Sequence, residues 1–229
     1  MEDLRTIKEY HKKQLEKVSL VLFLALYAFV FIFRIPRMLL AEGTLVWMQA
    51  SIYGLLGIGG VFLFRGTFLG GFQSWKVAPL KNILWLIGAY VVSVIMLSIA
   101  SFPAYVMGVE ALQNDFNVLN AIQILGIPFS ILILGIAGPI VEEIVYRAFL
   151  IRKGKFPLWI CILLSSSLFA FVHIHAFTFS ELVAILPHFS VALIYGILYA
   201  VTGNITLPIT LHVMNNTVAI ILLGSVSIL

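Results

Sequence analysis

Two adjacent glutamates, Glu142 and Glu143, stand with Arg147 inside the apolar stretch GPIVEEIVYRAFL. Further along, His173 and His175 interrupt SLFAFVHIHAF, and His188 lies in ILPHFSV. His212, Asn215 and Asn216 sit in PITLHVMNNTV. Ionisable groups in such company are expensive to bury and mark function by default. A carboxylate and a histidine can share the proton-accepting role and activate a water. A second histidine, with an amide one turn away, can donate hydrogen bonds to a developing oxyanion. Together these groups describe hydrolysis of an acyl bond by water. Two histidines and a carboxylate also suit zinc with an open position. The metal alternative therefore rests on Glu142, His173 and His212, although no HExxH signature is present.

Spacing divides the two glutamates. Glu143 and Arg147 are four apart, so on a helix they share a face and can pair. Glu142 points about 100° away and stays available. Pro139 removes a backbone donor and kinks or starts a helix there. Depth can be counted from the turn RKGKFP, residues 152–157. Glu142 lies roughly 18 Å of helix before Gly154, and His173 roughly 25 Å after Phe156. His212 stands roughly 12 Å beyond Asn204, in a turn assigned to the same side, with Asn216 one turn further. The expectation is one polar layer holding Glu142, His173, His212 and Asn216. His175, two residues from His173, points elsewhere on a helix and is expected at the outer end. His188, beside Pro187, is expected to be structural. Asn215 could stand in for Asn216, and Phe169 packs beside His173.

The elements that must carry these residues are membrane helices. Hydrophobic residues make up 62% of the 229 and charged residues 10%, with a mean hydropathy of +1.09. A soluble domain could not hide that surface. Apolar runs fall near 18–40, 45–64, 82–102, 119–141 (continuing to about 152), 157–177, 182–201 and 205–228. Their unbroken character argues for helices rather than a barrel. The expected fold is all-α and polytopic, with about seven spans, or eight if one run divides. Residues 1–17 read as a charged, solvated cytoplasmic segment and 18–229 as the membrane domain.

The net charge of +4 is dispersed between spans, leaving no basic domain for nucleic acid. Arg5, Lys8, Lys12, Lys13, Lys17, Arg65, Lys76, Lys81, Arg152, Lys153 and Lys155 fall on alternate connections, whereas Arg34 and Arg37 fall opposite. The loop 103–117 carries Glu110 and Asp115 and no basic residue. The positive-inside rule then puts the N-terminus in the cytoplasm. Short loops and the lack of a targeting peptide suggest a prokaryotic plasma membrane. The lone Cys161 excludes an intramolecular disulfide. Buried carboxylates and histidines also make proton relays, so a small proton-coupled transporter is the rival reading. No internal repeat of the transporter kind is visible.

Three motifs carry a resemblance. EEIVYR is an EExxxR motif (Glu142, Glu143, Arg147), FAFVH is FxxxH (Phe169, His173), and HVMNN is HxxxN (His212, Asn216). In this order on successive spans they resemble the CAAX-protease and bacteriocin-processing (CPBP, or Abi) intramembrane proteases, over about residues 120–222. The resemblance implies an eight-helix α fold and endopeptidase activity on a peptide or membrane-protein substrate. By it, Glu142 and His173 activate the water, His212 and Asn216 form the oxyanion hole, and Glu143 and Arg147 support the site. The family is often labelled a metalloprotease, yet this mechanism needs no metal. No cofactor is expected, with zinc or another divalent metal as the alternative. Ala148 replaces the glycine that many members carry after the arginine, and the chain is short for the full helix set. Members that process CAAX proteins, that mature bacteriocins or that confer self-immunity all fit; a catalytically silent immunity protein is a further alternative, against which the intact four-residue set argues.

Overall fold

The computed structural model describes residues 4–109, 112–152, 154 and 156–226, with side chains from Gln14 to Ser225 within these ranges. Glu110, Lys153 and Lys155 lie outside the described residues, as do the side chains of Arg5, Lys8, Lys12 and Lys13. Among the described residues there are helices and no strand. We number the helices α1 (Leu4–Tyr27), α2 (Glu42–Leu63), α3 (Arg65–Val77), α4 (Pro79–Val106), α5 (Gln113–Leu125), α6 (Ile127–Phe149), α7 (Leu158–Phe171), α8 (Phe179–Thr202) and α9 (Thr206–Val226). The charged head and the first apolar run form one helix, with a π-helical end at Ala28–Ile32.

Among the described residues, six segments are long and apolar enough to cross a membrane: Gln14–Ile32, α2, α4, α6, α8 and α9. The chain is an integral membrane protein of polytopic, all-α build. The fifth apolar run, expected over 157–177, gives a helix of only 14 residues, α7. That is roughly 21 Å, short of the roughly 30 Å hydrocarbon core. The run expected over 119–152 divides at Gly126, whose φ of +76° is one that glycine adopts freely. This separates the 13-residue α5 from α6.

α6 is the axis of the fold. Its most apolar window is 61% buried inside the protein, against 6% for the corresponding window of α4. Its backbone alternates α and π turns, with π stretches at Ile131–Ala137 and Ile144–Phe149. The first has a local cause. The Gly138 N–H bonds Ile133 O, five residues back. In that register the next donor would serve Leu134 O, but Pro139 has no N–H. Asn216 of α9 supplies it instead, its Nδ2 donating to Leu134 O at 3.1 Å. At the second stretch Ser165 of α7 donates to Tyr146 O. In a bilayer each backbone group must be met within the protein, and here neighbouring helices meet the groups that α6 cannot.

α2 lies close against α6 because it presents glycine there. A Cβ at Gly57 would sit 3.6 Å from the Ala137 Cβ, and one at Gly60 would sit 2.7 Å from Ile144 Cδ1. Small residues allow this approach between membrane helices. Polar contacts then group the connections at two ends. Arg34, Arg37, Asn117, His175 and Glu181 share one end. Gly71, Trp75, Asn204 and Thr206 share the other.

Candidate active site

Glu143 and Arg147 are fully buried, 0% exposed, and their Oε2 and Nε lie 3.1 Å apart. The contact is an ion pair without hydrogen-bond alignment. Arg147 Nη2 donates to Ala192 O of α8 at 3.1 Å. Its guanidinium carbon stands over the rings of Phe169 (4.9 Å) and Tyr195 (5.5 Å). Cation–π contact replaces part of the hydration that burial removes. The helical pairing expected from the i, i+4 spacing is present.

The second carboxylate oxygen of Glu143 has another task. Its Oε1 accepts from His212 Nδ1 at 2.9 Å. The same ring turns Nε2 toward Glu142 Oε2 at 3.7 Å. His212 thus lies between the two glutamates, and its ring tilts against Tyr195 at 5.0 Å. The N-terminal end of α9 is set by Asn204, whose Oδ1 accepts from the Thr206 N–H at 3.0 Å, in the manner of a helix cap.

Glu142 points away from Arg147, as the 100° offset requires. Its Oε1 accepts from the Tyr53 hydroxyl at 3.0 Å. Tyr53 is the residue that spacing within the motifs could not disclose, since it lies on α2, 89 positions away. A signal did exist: Tyr53, Gly57 and Gly60 fall at i, i+4 and i+7, so the tyrosine shares the glycine face. Its ring stacks on Phe31 at 4.0 Å. Beside it, the Tyr27 hydroxyl donates to the Tyr146 hydroxyl at 3.2 Å.

His173 joins this group through Phe169. The phenyl ring lies 4.9 Å from the His173 ring and 5.5 Å from the His212 ring, the latter edge-on. His173 Nδ1 lies 2.8 Å from Phe169 O. A carbonyl only accepts, so Nδ1 carries the proton and Nε2 keeps its lone pair. His188 is closer to the site than its sequence position suggests, its ring 4.7 Å from that of His173. It also lines a cavity of about 410 Å³ with Ser101, Tyr105 and Asp115.

Asn216 is one turn past His212, and the hydrogen bond described for it goes to Leu134 O. One Nδ2 hydrogen is committed there and the other is uncommitted. Asn215 instead donates to the Tyr195 hydroxyl at 2.7 Å. His175 faces outward, as expected. Its Nδ1 lies 3.1 Å from Arg37 Nη1. Burial first, then the nearby Arg34 and Arg37 charges, pushes the ring from 6.5 down to about 4. It is therefore neutral at ordinary pH and accepts from Arg37.

Among the described residues, no group of three or more His, Cys, Asp or Glu side chains is arranged to hold a metal ion. Of the three residues considered as ligands, His212 has Nδ1 on Glu143 and Nε2 at 3.7 Å from Glu142 Oε2, while His173 packs on Phe169. Zinc needs donors meeting near 2.0–2.2 Å of one point.

Residues 122–218 match the family model described as type II CAAX prenyl endopeptidase, Rce1-like. Every motif residue lies in that stretch, which is similar to this family, within the CPBP group. The chain is also 31% identical over 145 residues to a Bacillus subtilis (strain 168) protein named "Putative membrane peptidase YdiL". That match covers 62% of this chain and 56% of the relative, so the chain spans little more than half of the relative's length. No solved structure matches the chain.

Proposed function

We propose that this protein is an intramembrane endopeptidase that hydrolyses a peptide bond with a water activated by Glu142 and His173. The observation that carries the reading is His212 held between two buried carboxylates, with Phe169 in contact with both its ring and that of His173, whose Nδ1 is committed to Phe169 O. His173 Nε2 accepts the water's proton as its oxygen attacks the carbonyl, and Glu142, steadied by Tyr53, orients the water and shares the proton. The proton then passes to the leaving amine.

His212 serves as oxyanion donor through Nε2. The uncommitted N–H of Asn216 is the second donor. No step in this reading is routed through a metal.

The substrate is a peptide or membrane protein. The family match supports a prenylated C-terminal CAAX segment, and a bacteriocin-type or self-immunity role is the finer alternative. The N-terminus lies in the cytoplasm of a prokaryotic plasma membrane. Cleavage of fluorogenic prenylated and membrane-spanning peptides by the purified protein tests the reading. Glu142→Ala and His173→Ala should each lower kcat by at least about 10³-fold, and activity should persist through exhaustive chelation. Equal cleavage by wild type and both variants would overturn the assignment. Proton flux abolished by Glu142→Ala, without any cleavage, would favour the transporter.

A further inference from the structure

We propose that Arg34, in the connection between α1 and α2, is a positioning residue that holds the His173 backbone in register with the site. The inference rests on the reading of His173 as the base.

His173 is not on a helix. α7 ends at Phe171, and the chain runs through an irregular turn to Thr178. The His173 and Ile174 amides close back on Ala170 O and Phe171 O, at 2.9 and 3.1 Å. The turn's carbonyls have no helical partner ahead of them. Arg34 takes two of them. Its Nη2 donates to Val172 O and its Nη1 to Ile174 O at 2.8 Å. These are the carbonyls on either side of His173. One planar guanidinium therefore fixes the 172–173 and 174–175 peptide groups, one on each side of His173, a geometry suited to a rigid fork of donors.

The remaining amides of the turn meet the opposite charge. Glu181 Oε2 accepts from the His175 N–H at 2.8 Å and the Ala176 N–H at 2.6 Å. Its Oε1 accepts from the Gln113 N–H at 3.3 Å. The turn is thus held by a cation on its carbonyls and an anion on its amides. The imidazole is held separately, by Nδ1 on Phe169 O.

The backbone of Arg34 gives independent support. Its φ of 52° and ψ of 32° lie in the left-handed region. Among the described residues it is the non-glycine residue with positive φ. Asparagine or glycine would fit that conformation more easily. Local preference thus does not account for an arginine here, but the reach of its guanidinium to residues 138 and 140 positions away does.

Arg34→Asn is the informative variant, because it keeps the backbone conformation and removes the fork. In the full chain, with the same fluorogenic peptides, kcat should fall about 10- to 100-fold. KM should stay within about threefold, the pattern of a displaced reacting group rather than lost substrate contact. Millimolar methylguanidinium should restore part of the rate, and methylammonium should not. Hydrogen–deuterium exchange should quicken across residues 172–176 and stay unchanged in α6. Arg34→Lys should fall between the two, and gives the same readouts if the asparagine variant does not fold. Wild-type kcat and exchange in Arg34→Asn, with cleavage abolished in His173→Ala, would overturn the proposal alone. Full cleavage by His173→Ala, or none by wild type, would overturn it together with the reading of the base.

Discussion

Glu142 and Glu143 are neighbours in sequence with unlike tasks. Glu143 is fully buried, pairs with Arg147 and also accepts from His212. Glu142 holds only a tyrosine hydroxyl and a longer contact to the same histidine. Removing one member of a buried pair leaves the other charge uncompensated. Glu143→Gln should therefore cost about 3–5 kcal/mol of stability, read as thermal unfolding in detergent. Glu142→Gln should unfold near the wild-type temperature and yet cleave no substrate. The opposite pattern would refute this division of roles. The division follows from helical geometry, since residues i and i+4 share a face whereas i and i+1 do not.

At the scale of elements, α6 is the helix whose backbone is least self-sufficient. Pro139 leaves Leu134 O without its donor, and Asn216 answers from α9. One side chain thus joins the two helices that bear the EExxxR and HxxxN motifs. Asn216→Leu should destabilise the protein by about 1–3 kcal/mol, the cost of an unmet buried carbonyl. In a Pro139→Ala background the restored N–H can serve that carbonyl, so the same change should cost about 1 kcal/mol less. A double-mutant cycle on unfolding free energy measures the coupling, and a coupling of zero would remove this account of the π turn. It also bears on catalysis: a tether that spends one amide hydrogen on Leu134 O aims the other.

For the whole molecule, charge placement decides orientation. The connections holding Arg34, Arg37 and His175 gather at one end, and those holding Trp75 and Asn204 at the other. With the N-terminus inside, Met38 at 79% exposure faces the exterior, and the exposed Lys76 faces the cytoplasm. In a Cys161→Ser background, an impermeant maleimide on intact cells should label Met38→Cys and leave Lys76→Cys unlabelled until the membrane is opened. Reversed labelling would reverse the topology.

The sequence by itself determined the membrane class, because a 62% hydrophobic chain has nowhere else to place its surface. It also determined the Glu143–Arg147 pair and the separate aim of Glu142, because helix periodicity is local. Counting residues brought His173 and His212 to one depth, but it could not orient them. Only the tertiary structure decided that His212 lies between both glutamates, that Phe169 touches both histidine rings, and that Tyr53 and Arg34 reach the site from outside the motifs. The breaks at Gly126 and after Phe171 were hidden for a related reason. Hydropathy records how apolar a run is, whereas the end of a helix depends on which distant side chain takes up its unpaired carbonyls and amides.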